Sequence, residues 1–564
     1  MTDQDEPTHF NLIDEPWIRV RRVDGTPAEL SLHDVFHQAD QIRALANELP
    51  IADFAILRVL LAILERSVVV SHANEHSATA TRVWPQLWRA PQLPCADIDA
   101  YLEARRDRFD LLHPLAPFMQ VAGMRTLKDE PTGVAKIVAD VGDGDRPFLA
   151  MRRGVEAKTL SFAEAARWLV NCRAYDPSGI KSGVVGDPDV KGGKSYPIGT
   201  AWAGKLGGVF AEGDCLRETL ILNLPLATPD DTRLDSLADD LPDWERPTNT
   251  TGLSARQPDG PADLFTWPSR RVLLRHDGER ITGLVLTNGV RLDPPNLFGV
   301  EPMSGWRKPK QQPKGGAVVY TPATHQSSRA LWRGLSAILP GSRAETVDGA
   351  AFLRPGVVTW LAKMASDEVI GLERLFRLHA VGAVYGTMQA VITDVVDDTL
   401  AVHALLLSEQ GNHLVWAAQE CVADTDKAVF ALCALASNLA LACGADLSSP
   451  AGQQLRDGLR AEARSRAYAE LDQPFRSWLA GLTADTDGGQ AKRDWHREAS
   501  QILQRLGVDL VAGCSPTAFV GHSSEQNGWM SAGRAALIFE NSLRNALPVD
   551  KPTKTSETAE GNAE

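Results

Sequence analysis

From Val402 to Leu547 the chain is built of long Ala- and Leu-rich segments, at about 402–422, 425–444, 450–483, 490–507 and 528–547. Apolar residues recurring every three to four positions over such lengths admit α-helices and little else. The connections GADLSSP and TADTDGG carry glycine stops and Ser or Asp caps. Short connections imply antiparallel neighbours, so a helical bundle of the four-helix type is expected over 401–547. The remaining stretch, 548–564, is polar and charged and is expected to be a disordered tail.

Ahead of residue 400 the pattern is mixed. Residues 10–35 alternate apolar and polar side chains around Asp24-Gly25, which predicts a β-hairpin. Helical periodicity follows at about 33–47, 52–70, 97–112 and 161–173, and strands are expected at 216–225, 270–276, 281–292 and 317–321. Residues 120–160 and 174–208 are glycine-rich without a helical period, and 226–268 reads as a Pro- and Asp-rich loop. The fold class expected is therefore α+β: a large mixed domain over 1–400 with long Gly/Pro-rich loops, then the all-α bundle.

Composition narrows the function. A length of 564 residues calls for more than one domain, and 44% apolar with 23% charged residues is ordinary for a soluble globular protein. The apolar stretch Ile51 to Val70 is interrupted by Asp53, Arg58, Glu65 and Arg66, which suits a core helix and not a membrane span. No leader pattern is visible at the N-terminus. Seven dispersed cysteines without C-x-x-C argue against a disulfide framework or cysteine zinc site and fit the cytoplasm. A formal net charge of −14 argues against free-standing, non-specific nucleic-acid binding, which draws its affinity from neutralised phosphates.

Signatures of hydrolytic chemistry are absent: there is no G-x-S-x-G, H-E-x-x-H or H-x-E with C-x-x-C. GDPDVKGGKS, 186–195, imitates half of a phosphate-binding loop, but Pro188 stands where its first glycine belongs and Pro197 falls in the helix that should follow. His33 and His37 share an i,i+4 face that could hold a metal, although a solvated helix face beside Asp40 is the favoured reading, and no metal or other cofactor is expected. Cations are more informative. Between Met303 and Ala344 there is no Asp or Glu, while Arg307, Lys308, Lys310 and Lys314 crowd the loop GWRKPKQQPKGG. Arg456, Arg460 and Arg464 are spaced to form a stripe on one helix, partly offset by Glu462 and Glu470. Lys181, Lys191, Lys194 and Lys205 punctuate the glycine-rich stretch 174–208. Such local basic elements suit contacts to a nucleic-acid backbone, and solvated or flexible surface is the alternative at each.

Several segments together resemble one family. FNLIDEPWIRV (10–20) resembles the N-terminal signature of the CasA family, APFMQ (116–120) its H-P-F-M-Q, and SGIKSG (178–183) its G-G-F-K-S-G segment. CasA is the large subunit of the type I-E CRISPR Cascade complex, and the resemblance runs from residue 10 to about 547. It implies a non-catalytic subunit that recognises the protospacer-adjacent motif (PAM) in double-stranded DNA and helps open the target for R-loop formation. The implied partners are the other Cascade subunits, the CRISPR guide RNA, target DNA with its displaced strand, and the helicase–nuclease, with no membrane involved. The family's glutamine wedge falls on Gln389 and Ala390 within VYGTMQAVITD, and its glycine loop on Ser178 and Gly179 before Lys181. Its lysine finger falls near Asn288, so Asn288 or Arg291 would have to substitute. Its mobile loop resembles DRPFLAMRRG, with Phe148, Arg152 and Arg153. A scaffold subunit touching guide RNA and protein, or a small-molecule enzyme, are the alternatives.

Overall fold

The computed structural model describes residues 8–75, 77–140, 158–227, 231–248, 256–313, 317–339, 345–346, 349–524 and 528–549. Phe148, Arg152, Arg153, Lys314 and the expected tail beyond Val549 lie outside the described residues. The chain forms two compact units. One holds the residues up to Leu339 with 349–371 and Phe376–Leu400; the other holds Leu372–Leu375 and the chain from Ala401 onward.

The first unit is mixed α and β, with several small sheets. Strands β1 (Ile18–Arg22) and β2 (Pro27–Leu30) pair antiparallel, with Ile18 opposite Leu30, and turn through Gly25 at φ +88°. Alternation along β1 sends Ile18 and Val20 into the core, behind the fully buried Trp17. Helix α1 (Leu32–His37) is capped by the Ser31 hydroxyl and is short, because Ile42–Leu45 forms strand β3 on the free edge of β1. The single helix expected over 33–47 is thus a helix and a strand, tertiary pairing having overridden the local period. Helix α2 (Pro50–Ser71) opens on a proline whose missing N–H costs nothing there, and it is buried nearly all round. Its two arginines are therefore paired: Arg58 grips Glu301 through two bonds of 2.9 and 2.8 Å, and Arg66 meets Glu245 at 2.8 Å.

Helix α3 (Cys95–Glu103) packs on α1 and α2, and α4 (Phe162–Tyr175) packs on α2. Short strands β4 (Lys181–Ser182) and β5 (Lys194–Ser195) form a hairpin, followed by β6 (Gly208–Glu212). The strand expected at 216–225 is a helix, Leu216–Leu222; its seven residues LRETLIL, all buried but Glu218, are too short a run for periodicity alone to separate helix from strand. Strands β7 (Arg270–His276) and β8 (Ile281–Asn288) form a two-stranded hairpin. Strands β9 (Leu375–Tyr385) and β10 (Ile392–His403) complete a sheet of order β10-β9-β6, with Arg377 of β9 opposite Glu212.

The second unit is largely helical: α5 (Asn412–Ala442), α6 (Pro450–Ala480), α7 (Gly488–Ala512) and α8 (Ala532–Ala546). Ser449 and Asp487, from the two connections read as caps, accept N-terminal amides of α6 and α7. Two helices were expected across 402–444, but 402–411 is strand end and 3-10 turn, and α5 runs unbroken from Asn412. The polar step at 423–426 does not break it because the buried Thr425 hydroxyl donates to the Cys421 carbonyl at 2.7 Å and accepts the Trp495 indole N–H at 2.9 Å. Helix α5 packs against each of the other three, and Phe475 and Trp495 meet edge to face at 4.9 Å. Gly507 lies under the Phe539 ring, where a Cβ would come within 2.4 Å of it. Among the described residues one helical stretch, Glu409–Ala442, is long and apolar enough to cross a membrane, and 61% of its most apolar window is buried inside the protein.

Candidate nucleic-acid interface

Strands β9 and β10 are joined by a tight turn, Gly386 to Val391. The Gly386 N–H donates to the Val391 carbonyl and the Gln389 N–H to the Gly386 carbonyl, both at 2.9 Å. Met388 and Gln389 adopt φ of +55° and +58°. Two consecutive left-handed residues that are not glycine cost about 1–3 kcal/mol each, so the turn is held strained by its surroundings. Thr387 through Val391 are exposed, Met388 to 86%. Gln389 and Ala390 therefore stand on a projecting tip and not in a buried strand. Behind the tip, the Tyr385 hydroxyl donates to the Tyr175 carbonyl at 2.7 Å, tying the hairpin to the end of α4.

Helix α4 stops at Asp176-Pro177, and the chain then runs through Ser178 and Gly179 into β4. The Ser178 N–H donates to the Gln389 carbonyl at 2.9 Å, so the glycine loop and the hairpin tip form one surface. The loop is braced from below. Asp176 accepts the buried Arg270 guanidinium and, at 2.7 Å, the Lys181 ammonium. Arg270 also donates to the Pro177 and Gly199 carbonyls, at 3.0 and 2.8 Å. Lys181 is thus turned inward, its charge spent on a buried carboxylate. Asn288 is corrected likewise: it is 3% exposed, and its amide N–H groups go to the Tyr196 and Ser195 carbonyls at 2.9 and 3.2 Å. In this arrangement it positions the loop and offers no donor to a groove. Arg291 is exposed, its guanidinium 2.9 Å from Asp293.

GDPDVKGGKS resolves as a hairpin turn. Gly192 and Gly193 have φ of +59° and +75°, and Lys191 and Lys194 exchange backbone hydrogen bonds of 3.0 and 3.2 Å. Positive φ at both central residues is the demand of a two-residue I′ turn, and it explains the glycine pair. Asp187 anchors the stretch by pairing with the buried Arg271. Lys191 and Lys194 flank the turn, exposed, with no ion pair among the described residues. Lys205 is different: it donates to the Leu292 carbonyl at 2.6 Å, and burial pushes its ammonium down to about 8.

Between loop and tip lies a cavity of about 280 Å³, bordered by Asn171, Tyr175, Ser178 to Ser182, Leu286 and Ala390 to Ile392. Asn171 is 2% exposed and its Oδ1 has no hydrogen-bond partner among the described residues. Cys172, also on the wall, has its thiol pushed far up by burial, the opposite of an activated nucleophile.

The other expected cations lie elsewhere. Arg307 lies on a small sheet beside Trp306; Arg307 and Lys310 are exposed and Lys308 is half-buried. On α6, in the second unit, Arg456 pairs with Asp457 at 3.2 Å, Arg460 lies over the Phe430 ring at 5.5 Å, and Arg464 sits beside the Cys433 thiol. Glu470, expected to offset that stripe, binds Arg505 instead at 2.7 Å. Sequence reasoning missed Asp176, Arg270, Arg271 and Tyr385. The signal for the arginines was the pair Arg270-Arg271 directly ahead of the apolar run 272–274.

Residues 11–506 match the family model described as CRISPR-associated protein Cse1. The CRISPR-associated protein CasA/Cse1 of Thermus thermophilus is 29% identical over 398 residues, covering 68% of this chain and 69% of that one. The crystal structure of Thermobifida fusca Cse1 is 40% identical with a TM-score of 0.85, over 96% of this chain and 99% of that one. Cse1 from Acidimicrobium ferrooxidans is 28% identical with a TM-score of 0.76, over 96% and 98%. The chain belongs to the CRISPR-associated Cse1 family, the CasA family, large subunit of the type I-E CRISPR Cascade complex.

Proposed function

We propose that this chain is the non-catalytic DNA-reading subunit of its complex: it recognises the PAM from the minor groove, starts R-loop formation and helps recruit the helicase–nuclease. The observation that carries the reading is the Ser178 to Gln389 hydrogen bond, which sets a strained, exposed polar tip beside a glycine loop. A backbone loop with Gly179 at its crest can lie close to base edges, and added space above Gly179 is open. A polar tip pushed into the adjoining base step takes up hydrogen bonds that unpairing frees. Unstacking costs about a few kcal/mol and is offset as guide RNA pairs with the target strand. Lys191, Lys194 and Arg291 supply outer phosphate contacts, and the helical unit meets neighbouring subunits and DNA.

The test is a gel-shift of the reconstituted complex on matched targets with varied flanking trinucleotides. Wild type discriminates among the flanks, and Gln389→Ala lowers affinity on the preferred one. Equal binding on every flank means that the subunit is a scaffold.

A further inference from the structure

We propose that His33, His37 and Asp99 form a binding site for a divalent first-row transition-metal ion, such as Zn²⁺, that fastens α1 to α3. The two histidines lie one turn apart on α1, and Asp99 comes from α3, packed against it. One ligand atom from each residue lies within 4.8 Å of the others. The His37 Nε2 is 2.9 and 3.1 Å from the two Asp99 oxygens, a hydrogen-bonding contact that an ion between the two side chains would replace. The His33 ring stacks on His37 at 4.1 Å and 20°, with its Nδ1 3.9 Å from the Asp34 carboxylate. Two imidazoles and a carboxylate with ligand atoms within 4.8 Å of one another are a borderline-soft donor set, matched to Zn²⁺, Co²⁺ or Ni²⁺ once the His33 ring turns out of its stack on His37.

The surroundings favour a cation. From Val23 to Ile42 and from Pro91 to Ala104 there is no Lys or Arg, while Asp34, Asp40, Asp97 and Glu103 add negative charge to these segments. The three side chains are between about a third and a half exposed, which leaves the remaining coordination positions to water. Cys95, one turn before Asp99, is turned to the Phe36 carbonyl at 3.8 Å and stands outside the set. This site is independent of the DNA-reading surface proposed above.

The experiment titrates the full, tag-free chain with cobalt chloride, following the d–d absorption, and repeats thermal melts with and without zinc chloride. Wild type binds one equivalent saturably, shows no thiolate-to-cobalt charge-transfer band, and melts higher with zinc. His33→Ala, His37→Ala and Asp99→Asn each weaken cobalt binding at least about tenfold and abolish the zinc-dependent rise. Asp99→Asn keeps a hydrogen-bond acceptor beside His37, so its loss of binding separates ligation from simple packing. Cys95→Ser leaves the titration unchanged. A wild type without saturable absorption overturns the proposal, as do His33→Ala and His37→Ala proteins that titrate like wild type.

Discussion

Within the first unit, two sets of cations share the glycine-rich stretch and the hairpin β7–β8 and do opposite things. Lys181, Arg270 and Arg271 bury their charge against Asp176 and Asp187. Lys191 and Lys194 stand exposed around the turn between β4 and β5. The buried set cannot lend its field to a ligand, because its charge is already neutralised and hydrogen-bonded. What it supplies is shape: it fixes the backbone of Asp176 to Gly179 against the strained tip. The exposed set holds no backbone in place and supplies charge alone. On the function proposed above, such a surface would read DNA with backbone and one polar side chain, and attract it with a few outlying lysines.

The largest effect expected from breaking this division is that of Arg270→Ala. It leaves Asp176 with only Lys181 and frees the Pro177 and Gly199 carbonyls. Removing one partner of a buried pair costs about 3–5 kcal/mol, read by urea unfolding. A loss below about 1 kcal/mol would place Arg270 outside the brace.

Lys205 sharpens the contrast, because it is a lysine turned inward onto a backbone carbonyl, with no salt bridge among the described residues. Its folded pKa of about 8 lies below the ordinary value of 10.5. Across pH 8 to 10.5 the unfolded chain therefore binds a proton that the folded chain does not, and stability rises with pH through that window. At neutral pH the group opposes folding. Lys205→Met is expected to raise stability at pH 7 by about 1–3 kcal/mol and to flatten the alkaline rise in pH-dependent melts.

The smallest change comes from the exposed set. Replacing Lys191 and Lys194 together by Ala leaves stability within about 0.5 kcal/mol. DNA affinity falls a few-fold on every flanking sequence alike, and the salt dependence loses about one unit of slope per phosphate contact removed. A change in flank preference would move these lysines from charge supply to sequence reading.

Much of the frame is visible in the residues themselves. The hairpin at Asp24-Gly25, the core helix near 52–70 and the Ser449 and Asp487 caps follow from local chemistry, and the structure contains each of them. Where reading failed, long-range contact decided the outcome. Ile42–Leu45 is a strand because β1 offers an edge, and Thr425 continues a helix because Trp495 reaches it from 70 residues away. Gln389 and Ser178 were identified through family resemblance, and their meeting across the fold is a structural fact no local pattern carries. Lys181 and Asn288 looked outward for the same reason. Asp176, 94 residues from Arg270, claims the first along with that arginine, and the Ser195–Tyr196 backbone claims the second.

The central claim is that the tip at Gln389, held by the glycine loop, opens the duplex. It is tested most directly by 2-aminopurine fluorescence at the first target base beside the flanking motif, in the reconstituted complex. Wild type is expected to raise the fluorescence as that base unstacks, and Gln389→Ala to bind the same duplex weakly with no rise at saturation. An equal rise with Gln389→Ala at saturation would contradict the account.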